Sequence, residues 1–231
     1  MKYNKMIKAK FIERPNRFIA YCDIDGEVEK VHVKNTGKCK ELLVPGYEVY
    51  LEGSNNPARA TKYSLIAVQK GNRLINMDSQ VTNKIVYEAL KDKSLMLPGF
   101  DEEIILIKPE KTYGNSRFDV YIEGKTKKAF IEVKGCTLEI DGVVKFPDAK
   151  TERGVKHVKE LIKAKEEGYL AYIVLVIQMK DVLYFTPNVE MHKEFADVLK
   201  EADKKGVKIL AYDSIVNIDN ITLNQPVKVV L

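Results

Sequence analysis

The segment AFIEVKGCTL, residues 129 to 138, carries an acid and a base inside an apolar run. The apolar residues indicate a buried β-strand, in which successive side chains point to opposite faces. Phe130, Glu132 and Lys134 therefore share one face. Two explanations fit this pattern: a structural ion pair, or an active site.

A second acid precedes this strand, in SRFDVYI at residues 116 to 122. The polar turn EGKTKK, residues 123 to 128, is long enough to join the two segments as a hairpin. Such a hairpin would bring Asp119 and Glu132 together at one edge. Alternation places Asp119 on the face opposite Phe118.

Two carboxylates and a lysine suit phosphodiester cleavage. Carboxylate oxygens are the ligands that Mg²⁺ prefers, and the ion activates water and polarises a phosphoryl group. The ammonium of Lys134 would orient that water or offset developing negative charge. Glu-x-Lys is a common tripeptide, so the pattern by itself leaves the structural ion pair open.

The composition excludes several classes of protein. The chain has 231 residues, of which 45% are hydrophobic, so it can build a large core. The three cysteines form no C-x-x-C pair, which argues against disulfides and thiolate zinc. The longest apolar run, residues 169 to 179, is too short to cross a bilayer. We expect a cytoplasmic protein with no membrane partner.

The first third of the chain predicts a small basic barrel. Residues 1 to 81 hold 14 Lys and Arg against 9 Asp and Glu, so they carry the whole net charge of +5. Five short strands separated by turn signals are typical of an OB-like barrel, and a basic surface suggests a polyanionic partner. Phe18 is expected in the core; the alternative is that either Phe18 or Tyr21, which alternation places on opposite faces, stacks on a base. The candidate phosphate contacts on this barrel are Arg14, Arg17, Lys38, Lys40, Arg59 and Lys62.

Residues 82 to 231 alternate strands with helices, which predicts an α/β layer. Helical spacing covers residues 79 to 93, 151 to 168 and 189 to 205. The buried face of the first helix is predicted to hold Ile85 and Val86 with Ala89 and Leu90.

The helix that begins near residue 151 offers further candidates. Arg153 and Lys156 would contact phosphate beside the free N–H groups of the first turn, or remain solvated while Thr151 merely caps the helix. His157 is either a proton shuttle or a structural histidine. Thr137 would contact a metal-bound water or the backbone.

Several segments together carry a family resemblance. They are NRF (16–18), NTG (35–37), NKIVYEAL (83–90), SRFDVYI (116–122), FIEVKGCTL (130–138) and FPDAKTERGVKHVKEL (146–161). The last of these is highly specific. On these segments the chain resembles the sugar fermentation stimulation protein A (SfsA) family.

The resemblance implies an N-terminal OB-like domain followed by a PD-(D/E)XK nuclease-like α/β domain, with a mixed sheet flanked by helices. It implies Asp119, Glu132 and Lys134 as the catalytic set, with Asp119 and Glu132 as metal ligands and Glu88 as an additional ligand. Phe118 stands where the motif has proline. The family is associated with DNA binding and with regulation of sugar catabolism.

We therefore expect a DNA-binding protein with a Mg²⁺- or Mn²⁺-dependent nuclease site. The alternative is a DNA-binding regulator of sugar (maltose) catabolism genes that does no chemistry. An RNA substrate and a dimeric state both stay open at the level of sequence.

Overall fold

Short strands close the first part of the chain into a barrel. The computed structural model of the chain describes residues 1–35 and 37–231. The barrel strands are β1 (Met6–Glu13), β2 (Ile19–Ile24), β3 (Glu27–Val33), β4 (Glu48–Gly53), β5 (Tyr63–Lys70) and β6 (Arg73–Asn76). They pair in the order β3-β2-β1-β4-β5-β6, and a parallel pairing of β3 with β5 closes the barrel. The five predicted strands and the OB-like barrel are confirmed.

The second part is an α/β unit built on a mixed six-stranded sheet with the order β15-β14-β12-β9-β8-β7. Its strands are β7 (Leu106–Tyr113), β8 (Ser116–Glu123), β9 (Lys128–Cys136), β12 (Leu170–Ile177), β14 (Lys208–Asn217) and β15 (Asn220–Val227). β12 runs parallel to both β9 and β14, and the other neighbours are antiparallel. The predicted mixed sheet is confirmed.

Helices cover both faces of this sheet. They are α1 (Val81–Lys91), α2 (Glu152–Glu166) and α3 (Lys193–Lys204). α1 packs on β8, β9 and β15, whereas α2 packs on β8, β9 and β12 and against α3. The apolar residues of α1 are buried as the spacing predicts: Ile85, Val86, Ala89 and Leu90. The centre of strand β9 is therefore buried on both faces, and Glu132 lies in the interior.

The sequence indicates a loop or hairpin through Asp141-Gly142 and a short strand at VLYF, residues 182 to 185, but not their union in one small sheet. β10 (Leu138–Ile140), β11 (Val143–Phe146) and β13 (Tyr184–Pro187) form a separate three-stranded sheet. Strands this short carry too little alternation to be distinguished from loops. The predicted helix from residue 189 begins later, at Lys193, because the backbone turns after Pro187.

The two units contact each other closely. The N–H of Tyr3 donates at 2.7 Å to Asp219 O, in the turn between β14 and β15, so the first residues of the chain leave the barrel. The Gln178 amide donates to Asn76 Oδ1 and to Asp78 O, both at 2.9 Å, beneath the start of α1. The predicted division between residues 81 and 82 falls in the first turn of α1. Of the helices in the described part of the chain, none has the length and apolarity that a bilayer requires.

Candidate metal centre and nucleic-acid interface

Asp119 lies where strands β8 and β9 separate. The backbone pairing of the two strands ends at Val120 and Ile131, one residue before Asp119 would pair with Glu132. The N–H of Val133 instead donates to Asp119 Oδ2 at 2.8 Å. A carboxylate thus replaces a backbone partner, and the two acids lie side by side at the point of separation, as the predicted hairpin requires.

Glu132 is almost fully buried, with 1% of its side chain exposed. Lys134 Nζ donates to Glu132 Oε1, and His157 Nδ1 lies 2.5 Å from the same oxygen. No residue that the structure describes donates to Oε2, although this oxygen is also buried. Oε1 of the carboxylate therefore has two hydrogen-bond donors, whereas Oε2, the bare oxygen, has none among the described residues.

The two carboxylates have shifted pKa values. Burial, and then the nearby charge of Glu132, raise the pKa of Asp119. Burial alone would raise the pKa of Glu132 as well, but the hydrogen bond from His157 and the charge of Lys134 outweigh it and lower that pKa. Buried carboxylates that lie side by side and repel each other commonly form a binding site for a cation.

Glu88 does not join this pair. Its carboxylate binds the N-terminal ammonium of Met1 at 2.8 Å. Asn83 of the same helix faces the site instead, because its Nδ2 donates to Asp119 Oδ1 at 2.8 Å. Five residues along a helix turn a side chain by roughly 140°, so Asn83 and Glu88 cannot face the same point. The prediction of Glu88 as a ligand is wrong for this arrangement, and the sequence reasoning missed Asn83.

Phe118 and Tyr121 both pack on Phe130, although strict alternation along β8 predicts that they lie on opposite faces. The Phe118 ring packs on Phe130, with centroids 5.2 Å apart, and edge-on to His157 of α2. It lies on the α2 side of the sheet, with Glu132. The pairing of β7 with β8 omits Glu110 and Asp119, and Glu110 has a φ of 54°. This irregularity breaks the simple alternation on which the prediction depended.

The auxiliary candidates take different places. Thr151 is the N-cap of α2 and accepts from Gly154 N at 3.0 Å. Thr137 is buried, and its side chain contacts the thiol of Cys39. His157 contacts Glu132 directly, so of the three only His157 belongs to the centre.

Arg14 has a structural role. Its guanidinium donates to four backbone carbonyl oxygens, at 2.6 to 3.0 Å. These belong to Arg17, Asn35, Gly37 and Lys38. Because both terminal nitrogens are occupied, the prediction that Arg14 contacts phosphate is not supported. The sequence could not show that a single arginine holds two loops together.

A basic groove lies beside these loops, with a volume of about 590 Å³. Its exposed cations are Arg17, Lys38 and Lys40. Ala149, which precedes α2, lines the same groove. The groove therefore extends from the barrel to the segment that leads into the helix of His157.

The remaining predicted cations are distributed around the molecule. Arg59 donates to Ser64 Oγ at 3.0 Å, and Lys62 pairs with Glu29 at 2.7 Å. On the first turns of α2, Arg153 donates through Nε to His157 Nε2 at 3.3 Å, and Lys156 donates to Asn115 O at 2.8 Å. Arg153 and Lys156 are both exposed. Arg153 is thus linked to Glu132 through His157, whereas Lys156 contacts the turn between β7 and β8, and Arg59 and Lys62 lie on the barrel.

Phe18 is exposed, not buried in the core as predicted, with 55% of its surface accessible. Asn16 Oδ1 accepts from the N–H groups of Phe18 and Ile19, which forms a side-chain turn before β2 begins. Phe18 therefore precedes the strand, and the alternation of β2 does not apply to it. An exposed aromatic ring follows the groove cation Arg17 directly.

A second group of potential metal ligands is formed by Glu152, His192 and Glu194. His192 Nδ1 accepts from the N–H of Thr151 at 3.3 Å. A neutral ring that accepts at Nδ1 carries its proton on Nε2, and Nε2 lies 3.6 Å from Glu152. The group is therefore explained by contacts between the ends of α2 and α3.

Comparisons with known proteins agree with this architecture. Residues 12–77 match the SfsA N-terminal OB domain, and residues 80–220 match the sugar fermentation stimulation protein RE domain. A sugar fermentation stimulation protein homolog from Clostridium beijerinckii is 58% identical over 231 residues, 100% of each chain. Another from Desulfitobacterium hafniense is 55% identical over 96% of this chain and 94% of its own.

A solved structure is also similar: SfsA of Pyrococcus furiosus in complex with Ca²⁺. It is 27% identical, with a TM-score of 0.88, and the match covers 100% of this chain and 98% of that one. This chain therefore belongs to the sugar fermentation stimulation protein (SfsA) family.

Proposed function

We propose that this protein binds DNA in the cytoplasm and cleaves phosphodiester bonds with the help of Mg²⁺ or Mn²⁺. The observation that carries the proposal is the bare Oε2 of Glu132, a buried carboxylate oxygen that no described residue contacts. An unsatisfied buried acceptor costs about 1–3 kcal/mol. A cation bound between Asp119 and Glu132 would remove that cost.

The donor set fits a hard divalent cation. Asp119 and Glu132 supply carboxylate oxygens. The three buried cysteines are not part of this donor set. When bound, Mg²⁺ or Mn²⁺ supplies Lewis-acid polarisation of the phosphoryl group and lowers the pKa of a coordinated water. The Ca²⁺ in the Pyrococcus furiosus structure is a cation of the same hard class.

Lys134 is placed to assist the attacking water. Its side chain is 18% exposed, and its ammonium contacts Glu132 Oε1. With a metal held by Asp119 and Glu132, the lysine would lie beside the reacting position. The ammonium would orient the water and stabilise the negative charge that develops on the phosphoryl oxygens.

The basic groove provides a path for the nucleic-acid strand. Lys38 and Lys40 would contact phosphates, and Arg153 and Lys156 would continue the path toward the carboxylates. The exposed ring of Phe18 suits stacking on an unpaired base. This arrangement favours a single strand over a duplex, and it applies to RNA as well as to DNA.

The test is cleavage of labelled single- and double-stranded DNA and RNA with Mg²⁺ or Mn²⁺. We expect the wild type to give product, and Asp119→Asn and Lys134→Ala to lose it while they still bind the substrate. The Asp203-Lys-Lys205 segment on the surface is a matched control. Asp203→Asn and Lys205→Ala remove the same residue types there and should leave the rate unchanged.

If the protein binds these substrates but yields product from none of them, the nuclease proposal is contradicted. The protein would then be better described as a DNA-binding regulator of sugar catabolism genes, and its affinity should depend on DNA sequence above the electrostatic background.

A further inference from the structure

We infer that His157 is a positioning residue that directs the bare oxygen of Glu132 toward the metal, and that Arg153 connects it to the bound nucleic acid. This inference rests on the proposed function, because it concerns the same metal centre. It assigns roles to two residues of α2 that contact each other and lead from the surface to the carboxylate.

The proton on His157 can be placed from its two contacts. The Arg153 Nε–H donates to His157 Nε2 at 3.3 Å, so Nε2 acts as an acceptor. A neutral imidazole has one donor and one acceptor nitrogen. Nδ1 must then carry the hydrogen, and it donates to Glu132 Oε1 at 2.5 Å. Both contacts are satisfied at once by a single tautomer.

This donor fixes the rotation of the Glu132 carboxylate. The terminal torsion of a glutamate is broad and nearly two-fold, so the carboxylate can exchange its oxygens unless one is held. His157 and Lys134 hold Oε1 from two sides. The imidazole is 7% exposed and lies edge-on to Phe118, so its orientation is set by packing. Lys134, on a flexible stem, does not provide equal rigidity.

Arg153 extends the arrangement to solvent. Only its Nε is engaged, and among the described residues no carboxylate forms an ion pair with its guanidinium. The two terminal nitrogens are available for a phosphate, which arginine binds through two parallel bonds. Because the guanidinium is planar, a phosphate that fixes the terminal nitrogens also fixes the Nε–H that points at His157. Phosphate binding and metal binding are therefore coupled, and the coupling is reciprocal.

The first arm of the test measures Mn²⁺ affinity by calorimetry, without nucleic acid. His157→Asn and His157→Leu have nearly the same shape, but only asparagine offers a donor near the position of Nδ1. We expect His157→Leu to weaken Mn²⁺ binding about 10- to 100-fold, as loss of such partners does in other metal sites, and His157→Asn to retain most of the affinity. If His157→Leu fails to fold, His157→Phe keeps a ring against Phe118 and takes its place.

The outcomes separate this inference from the proposed function. If the wild type binds no Mn²⁺, the proposed function fails. If the wild type binds it and the donor-free variant binds it equally well, only the role of His157 is overturned. Melting curves in EDTA show whether a lost affinity reflects a lost fold, and recovery in His157→Asn would not follow from a purely structural role.

The second arm measures the affinity for a short single-stranded oligonucleotide with and without Ca²⁺. We expect Ca²⁺ to tighten binding in the wild type, Arg153→Lys to lose this gain, and Lys159→Met, a neutralised cation on the same helix, to keep it. Arg153→Lys retains the charge but not the planar Nε–H. An unchanged gain in Arg153→Lys would overturn the coupling through Arg153.

Discussion

Glu139 joins the barrel to the α/β unit, and its replacement by glutamine should weaken that contact. Its side chain is 5% exposed and accepts from Lys70 Nζ at 2.8 Å, Arg73 Nη1 at 2.9 Å and Gly142 N at 2.5 Å. Burial alone would raise the pKa of Glu139, but these donors outweigh it and lower the pKa from 4.5 to about 2.

The size of the effect follows from this pKa. At about 1.4 kcal/mol per pH unit, the lowered value corresponds to roughly 3 kcal/mol. Lys70 and Arg73 are 29% and 26% exposed, so solvent screening reduces this to about 2 kcal/mol. A folded-state pKa below the unfolded one stabilises the protein above the unfolded pKa, and this stabilisation is lost as the pH falls through the folded value. It should therefore decline between about pH 5 and pH 2.

The assay is urea unfolding of the wild type and Glu139→Gln at two pH values. We expect a loss of about 2 kcal/mol in the free energy of unfolding at pH 7, and a loss near 1 kcal/mol at pH 3.5. The control is Glu194→Gln, which removes an exposed pair with Lys159 and should cost less than about 0.5 kcal/mol. A difference as small as that of the control at pH 7, or one that is the same at both pH values, would refute the reasoning.

Three further predictions concern residues outside the centre. Gly135→Ala should lower the free energy of unfolding by about 1–3 kcal/mol, because the new methyl group would lie 2.6 Å from Gln178 Oε1; thermal denaturation tests this, and an unchanged melting temperature contradicts it. Arg14→Lys should also lower the free energy of unfolding, by about 1–3 kcal/mol. Lys38→Ala should leave stability intact and reduce the slope of log affinity for DNA against log salt concentration by about one unit. If the two variants changed stability equally, the structural role of Arg14 would be contradicted. The three cysteines are buried, which raises their thiol pKa values, so a thiol reagent should label the native protein only as fast as it unfolds; rapid labelling of one thiol would show a local opening.

The proximity of Asp119 and Glu132 was predictable because it depends on short-range rules. Alternation within each strand and a turn of suitable length determine which residues meet in a hairpin. The five strands of the barrel were predictable for the same reason. In these segments the local pattern and the tertiary structure agree.

The errors lie where a role depends on the exact phase of an element or on a distant partner. Glu88 and Asn83 occupy the same helix, and only the packing of that helix decides which one reaches Asp119. The sequence did not distinguish Arg14 from the other cations. Three of the four carbonyl groups that it binds lie 21 to 24 residues further along the chain, and only that of Arg17 is local. The contact of His157 with Glu132 spans 25 residues and joins a helix to a strand, so no local pattern could assign it.

The chain itself provides a comparison that separates a structural ion pair from a metal centre. Glu139 and Glu132 are both buried glutamates, and each contacts a lysine. Both oxygens of Glu139 are occupied, since Arg73 and Gly142 N donate to Oε1 and Lys70 donates to Oε2. That is the pattern expected of a carboxylate that serves stability alone, because every acceptor is satisfied.

Glu132 departs from this pattern in one atom. Its Oε1 receives two donors, whereas Oε2 receives none from the described residues and lies next to a second carboxylate that raises the local negative charge. Selection for stability alone would favour a donor at Oε2 or a neutral residue in place of Asp119. A divalent cation would satisfy the bare oxygen and offset the repulsion between the two carboxylates, which supports the proposed metal site. Under that proposal, the acid and the base on one face of β9 belong to a site and not to a structural ion pair.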